Sequence, residues 1–218
     1  MRKTSWLASV LRVPLCAGAL VALPIVSVQA AGPIARIPAV QEDSTNPDVQ
    51  AMFNNARSRG GQVINLSLIR ANAPKLSKAS SGVAYAIRFH TKTPRPIIEL
   101  AILRTAHLYK GDYEINQHRP MMQTCGYTPA QIGAVMGDWR GSSSLFNEEQ
   151  RAVLAYVDQA AHGDVDDATF AAFQKFFDPR EIVEITMTID KYVGTALFTN
   201  ALRVKIEDDG RKTAGGKC

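Results

Sequence analysis

Four times along the chain a helix-capping residue is followed at once by proline: Asn46–Pro47, Thr93–Pro94, Thr128–Pro129 and Asp178–Pro179. A cap oxygen satisfies one orphan backbone N–H of the first turn. Proline, with φ fixed and no N–H of its own, suits the first helical position. Asp112 and Asn147 supply two further starts, and the Asn147 cap is followed by Glu148 and Glu149, where the helix dipole favours negative charge. Gly60–Gly61, Gly111, Gly126 and Gly137 read as stops. Between these signals the apolar residues fall at helical spacing, as with Leu100, Leu103 and Ala106, or Phe170, Phe173 and Phe177, which are expected inside. The β-branched run Ile182–Ile189 would suit a strand on propensity alone, but its length, the Asp178 cap and the lack of a hairpin turn assign it to a long closing helix. No alternating strands appear elsewhere. The expected fold class is all-α.

The first thirty residues stand apart. Arg2 and Lys3 precede the apolar run Leu15–Val28, which Pro24 interrupts and which ends in Val28-Gln29-Ala30, a small-residue cleavage pattern. We read residues 1–30 as a signal peptide cleaved after Ala30. No stop-transfer pattern follows, so no stable membrane anchor is expected, and the localisation is periplasmic or secreted. This segment holds Arg2, Lys3 and Arg12 and no acid, so the formal net charge falls from +5 to +2 on cleavage. The basic balance is therefore largely a targeting feature. With no basic stripe, stacking platform or phosphate loop left, nucleic acid is excluded as a partner. Residues 31–45 read as an extended leader, 46–203 as the helical domain and 204–218 as a flexible tail. Cys125 and Cys218 remain in the mature chain and could pair in an oxidising compartment, but Cys218 lies in a loose tail, and no disulfide scaffold is expected.

The chemistry lies in two neighbouring helices. Glu114 and His118 are four apart and share a helix face, so the carboxylate could orient the imidazole for general acid or base work. Exposed pairs of this kind are also ordinary surface contacts. In the preceding helix Glu99 is flanked by Ile97, Ile98, Leu100 and Ala101. It sits either on a polar stripe, paired with Arg95 or Arg104, or partly buried and in need of a partner. A short turn at Gly111 would fold the two helices antiparallel and bring Glu99 towards His118.

From Arg95 to Met136 the sequence "RPIIELAILRTAHLYKGDYEINQHRPMMQTCGYTPAQIGAVM" resembles the core motif of the carboxymuconolactone decarboxylase family, which shares the AhpD-like all-helical fold with the alkylhydroperoxidases. Glu99, Tyr113, Glu114, His118, Gly126 and Ile132 fall on the motif positions, and the resemblance extends over about residues 46–203. It implies acid–base chemistry, decarboxylation or lactone isomerisation, on a small organic acid without a cofactor. His118 would move the proton, Glu114 would orient it, and Glu99 would be a second acid or relay. Tyr113, Arg95, Arg104 and His107 would line the substrate side, with Arg119 a further candidate cation. The family also implies a homo-oligomer, a trimer or hexamer, for which Val193, Leu197 and Phe198 of the last helix could serve.

Two departures qualify this. The peroxidase branch carries a Cys-x-x-Cys pair where this chain has Gly111 and Glu114, so disulfide-based peroxide reduction lacks its nucleophile and its resolving thiol. The decarboxylase branch often has tryptophan where this chain has Ile115. A divalent metal held by Glu99, Glu114 and His118 would lack a second histidine, and no metal site is expected. A non-catalytic secreted protein keeping only the fold is the remaining alternative. It predicts a flooded or self-satisfied cluster rather than one lining a closed pocket.

Overall fold

The computed structural model describes residues 33–213 and Cys218; the expected signal peptide lies outside the described residues. Among the described residues nine α-helices follow one another: α1 (Pro47–Ser58), α2 (Asn65–Arg70), α3 (Pro74–Phe89), α4 (Arg95–Leu108), α5 (Asp112–Thr124), α6 (Pro129–Val135), α7 (Glu148–Ala160), α8 (Asp167–Gln174) and α9 (Pro179–Leu202). There is no strand among the described residues, and no helix there is long and apolar enough to cross a membrane.

The caps act as their chemistry dictates. Asn46 accepts from the Asp48 N–H, while Thr128, Asn147 and Asp178 each close a reciprocal capping box with the residue three further on. Thr93–Pro94 differs, because α4 starts one residue later, at Arg95. Thr93 is instead buried and donates both its backbone N–H and its hydroxyl to Glu184 Oε2, each at 2.8 Å. Asp112 is likewise the first helical residue rather than the cap. The short α2 has no side-chain cap, so its start carries no local signal.

α4 is the centre of the molecule. Ten consecutive residues, Ile97 to Ala106, are buried on it, and α5, α7 and α9 pack around it. A helix apolar nearly all round has to be enclosed in this way. Phe173 and Phe177 join this core, but Phe170 stays 37% exposed at the edge of Tyr156. On α9, Leu197 is exposed, Val193 leans on the main core, and Phe198 packs on a smaller cluster with Ile64, Tyr113 and Val204.

The turn Tyr109–Gly111 folds α5 back along α4. Lys110 takes a left-handed φ of 51°, and a Cβ on Gly111 would meet Ala196 Cβ of α9 at 3.0 Å. Gly111→Ala is therefore expected to cost about 1–3 kcal/mol by overpacking. Thermal unfolding followed by circular dichroism reads the loss, and wild-type stability would mean that α9 is not seated against the turn.

The described segments before α1 and after α9 lie along the helices. Ile34 O accepts from the Lys205 N–H and Leu202 O from the Arg36 N–H, each at 2.8 Å, which ties the leader to the end of α9. Glu207 is buried, with Asn65 N–H (2.7 Å), the Tyr113 hydroxyl and Gln117 Nε2 (2.9 Å) all donating to its carboxylate. Pro120 inside α5 cannot donate to Asn116 O, and Lys212 Nζ approaches that carbonyl at 3.4 Å. Cys125 is bonded to Cys218, with Cα atoms 5.0 Å apart. The pairing that an oxidising compartment would allow is present, although Cys218 was expected in a loose tail; the segment 204–213 runs back over α2 and α5.

Candidate active site

Glu99 projects from the middle of α4 and is fully buried. Arg95, one turn earlier on the same face, reaches its Oε1 through Nε at 2.7 Å and Nη2 at 2.6 Å. The opposite oxygen, Oε2, lies 2.8 Å from His118 Nδ1 on α5. Burial by itself would raise this carboxyl, but His118 and Arg95 together outweigh burial and hold it below the usual carboxylate range. An ionised carboxylate only accepts hydrogen bonds, so Nδ1 carries the proton and Nε2 is left as the atom that can take or give one.

On that second side stands Glu114, whose Oε2 is 3.7 Å from Nε2, beyond hydrogen-bond length. The imidazole thus donates its hydrogen bond to Glu99, whereas Glu114 was expected to orient it. The α4–α5 hairpin sets this by placing Nδ1 over the buried residue of the neighbouring helix. Tyr192 of α9 closes the ring from the side, edge-on at 5.0 Å between centroids. Glu114 is itself buried, and its Oε1 has no hydrogen-bond partner among the described residues.

His118 and Glu114 line a cavity of about 470 Å³ between α1, α2, α3, α5 and α9, while Glu99 sits behind them. The lining is largely cationic, with Arg59, Arg70, Lys78, Arg88 and Lys191, and Glu114 is the one carboxylate among the described lining residues. Arg59 Cζ lies over the Tyr85 ring, 3.6 Å from its centroid. Burial lowers the pKa of Arg70. Burial, with Arg70 nearby, pushes the Lys191 ammonium down to about 8.

The other expected substrate residues are dispersed. Tyr113 lines the cavity, but its hydroxyl donates to Glu207 and accepts from the Leu66 N–H. Arg95 is engaged with Glu99 and with Arg88 O. Arg104 points the other way, to Asp158 (2.6 Å) and the carbonyls of Val135 and Gly137. His107 lies near that Arg104–Asp158 pair, lowered in pKa first by burial and then by Arg104. Arg119 is exposed. No cluster of three or more metal-ligating side chains occurs among the described residues. The cavity cations Arg70 and Lys191, and Tyr192 behind them, were not marked by the sequence. Arg70 ends a six-residue helix without a cap, and Lys191 sits among the mixed positions of a long helix.

No protein-family model and no curated protein matches the sequence. Solved structures do match. An uncharacterized peroxidase-related protein with the alkylhydroperoxidase AhpD core, from Ralstonia eutropha JMP134, aligns with a TM-score of 0.67 and 18% identity, covering 82% of this chain and 95% of its own. An uncharacterized peroxidase-related protein from Silicibacter sp. TM1040 gives 0.68 and 14% over 86% and 98%. The debrominase Bmp8, also solved with 2,3,4-tribromopyrrole, gives 0.65 and 16% over 80% and 92% in its apo form. Identities this low speak to architecture, and what they establish is that this chain has the AhpD-like all-helical fold.

Proposed function

We propose that the protein is an acid–base enzyme for a small organic acid, in the manner of the carboxymuconolactone decarboxylases, carrying out decarboxylation or lactone isomerisation. One observation carries the reading: the buried Arg95–Glu99–His118 chain ends at Nε2, beside Glu114, in a cavity lined by cations. His118, with its tautomer fixed by Glu99, moves a proton at Nε2. The cations hold a substrate anion, and Glu114 offers a hydrogen-bond acceptor or a second proton carrier. A decorative remnant of the fold would have no need to bury an ionised carboxylate behind a histidine, because such burial costs stability unless fully compensated.

Peroxide reduction of the two-thiol kind is not proposed, since Gly111 and Glu114 stand at the thiol positions and Cys125 is bonded to Cys218. That bond supports an oxidising compartment and hence the proposed periplasmic or secreted location. Bmp8 is solved with a small ring compound, which supports a cavity of this fold accepting one.

The test is a panel of carboxylated lactones and β-oxo acids assayed for carbon dioxide release or isomerisation. His118→Ala should lower kcat for any substrate found by about 10²–10⁴-fold. Unchanged turnover in that variant removes the reading.

A further inference from the structure

One of the cavity cations is placed to do more than hold an anion. Lys191 lines the same cavity as His118 and Glu114, and the next residue on α9, Tyr192, touches the His118 ring. Its Nζ donates to Ser80 Oγ at 2.8 Å, and among the described residues no carboxylate comes within ion-pair distance of it. Its charged neighbour is instead Arg70, whose Nη2 lies 3.5 Å from Thr195 Oγ1, one turn along α9. A half-buried lysine held beside another cation, with Glu114 and Asp190 acting on it only from beyond ion-pair distance, is the arrangement that leaves an amine free to act as a nucleophile. The lowered ammonium value is in keeping with that placement.

We propose that Lys191 binds its substrate covalently, as an imine with the carbonyl of a β-oxo acid; this rests on the acid–base reading of the same cavity and narrows its substrate class. The Nζ lone pair adds to the carbonyl carbon, and the carbonyl oxygen takes up protons and leaves as water, giving a C=N⁺ linkage. The bond to the carboxylate carbon then breaks. Its electron pair moves into the iminium to give an enamine, and carbon dioxide departs. His118 Nε2–H delivers a proton to the enamine carbon, and water hydrolyses the new iminium to ketone and free Lys191. In sum, one oxo-acid carboxylate and one proton become one ketone and one carbon dioxide, with no oxidant or reductant. Arg70 is the cation placed to hold the carboxylate until it leaves, and Glu114 is the acceptor available during dehydration of the carbinolamine.

The experiment incubates the full-length protein with acetoacetate, reduces with borohydride and maps the adducts by peptide mass spectrometry. Lys191 should be modified at least about tenfold more than Lys78 in the same cavity or Lys110 on the surface, since only an amine kept neutral condenses readily. Lys191→Arg, which keeps the charge, should remove that adduct. Modification spread evenly over the lysines of the unaltered protein overturns the proposal, and that result needs no variant to fold. Labelling at Lys191 together with undiminished turnover in His118→Ala would sink the acid–base reading alone. His118-dependent turnover without the adduct would sink the imine alone.

Discussion

Glu99→Gln should unfold well below the wild-type temperature and should also lose most of its turnover. The side chain is fully buried, with two Arg95 nitrogens on one oxygen and His118 Nδ1 on the other. The amide keeps the shape but removes the charge that balances Arg95 and sets the imidazole tautomer. Leaving a buried ionic partner uncompensated costs about 3–5 kcal/mol. In a domain of this size that corresponds to a fall of order ten degrees in Tm. The pH dependence carries a second signature. Glu99 in the folded protein has a pKa below its usual value of 4.5. Its stabilising contribution is therefore complete above the unfolded value and is lost as pH falls through the folded one. Urea midpoints between neutral pH and about pH 3 should show that acid-side loss in the wild type and a flatter curve in Glu99→Gln. Matching midpoints throughout would mean that Glu99 is not ionised in the native protein.

Glu207→Ala should cost nearly as much. Three donors converge on this buried carboxylate: the Asn65 N–H at the start of α2, the Tyr113 hydroxyl, and Gln117 Nε2 on α5. Stranding them costs about 1–3 kcal/mol for a buried group, so a total near 3 kcal/mol is expected after relaxation. The damage should be local as well as global. Gln117 precedes His118, and Tyr113 precedes Glu114, so both cavity walls on α5 lose an outer support. Faster amide hydrogen exchange at Asn65 and Leu66, beyond what the change in overall stability explains, reads this directly. Glu207→Gln, which keeps one acceptor oxygen, should recover part of it. If Glu207→Ala exchanges and melts like the wild type, the tail does not brace the site.

What could be read from the chain follows the range of each interaction. The caps at Asn46, Thr128, Asn147 and Asp178 act over three residues, and the helices they announce are present. The α4–α5 hairpin was equally legible, because Gly111 is a local signal and the apolar flanks of Glu99 leave it few places to go. That Glu99 rather than Glu114 hydrogen-bonds the imidazole was not. An i,i+4 spacing says that two side chains share a face, but not which nitrogen of the ring turns to a neighbouring helix. Arg104 shows the same limit, since its partners Asp158, Val135 and Gly137 lie far along the chain. Glu207 had no periodicity around it to announce burial, and the cationic lining is assembled from α1, α2, α3 and α9 with no shared motif.

The Tyr109–Gly111 turn has a consequence for how such a chain can vary. Surface connections ordinarily tolerate gain or loss of residues. Here each residue added or removed would rotate α5 by about 100° about its axis relative to α4. One such step turns the His118 imidazole away from Glu99 and carries Tyr113 off Glu207, while the seat of Gly111 against Ala196 leaves no slack to absorb the change. Length, usually the freest parameter of a loop, is fixed in this one, so proteins that keep this site should show no insertions or deletions between Tyr109 and Asp112 whatever else drifts around it.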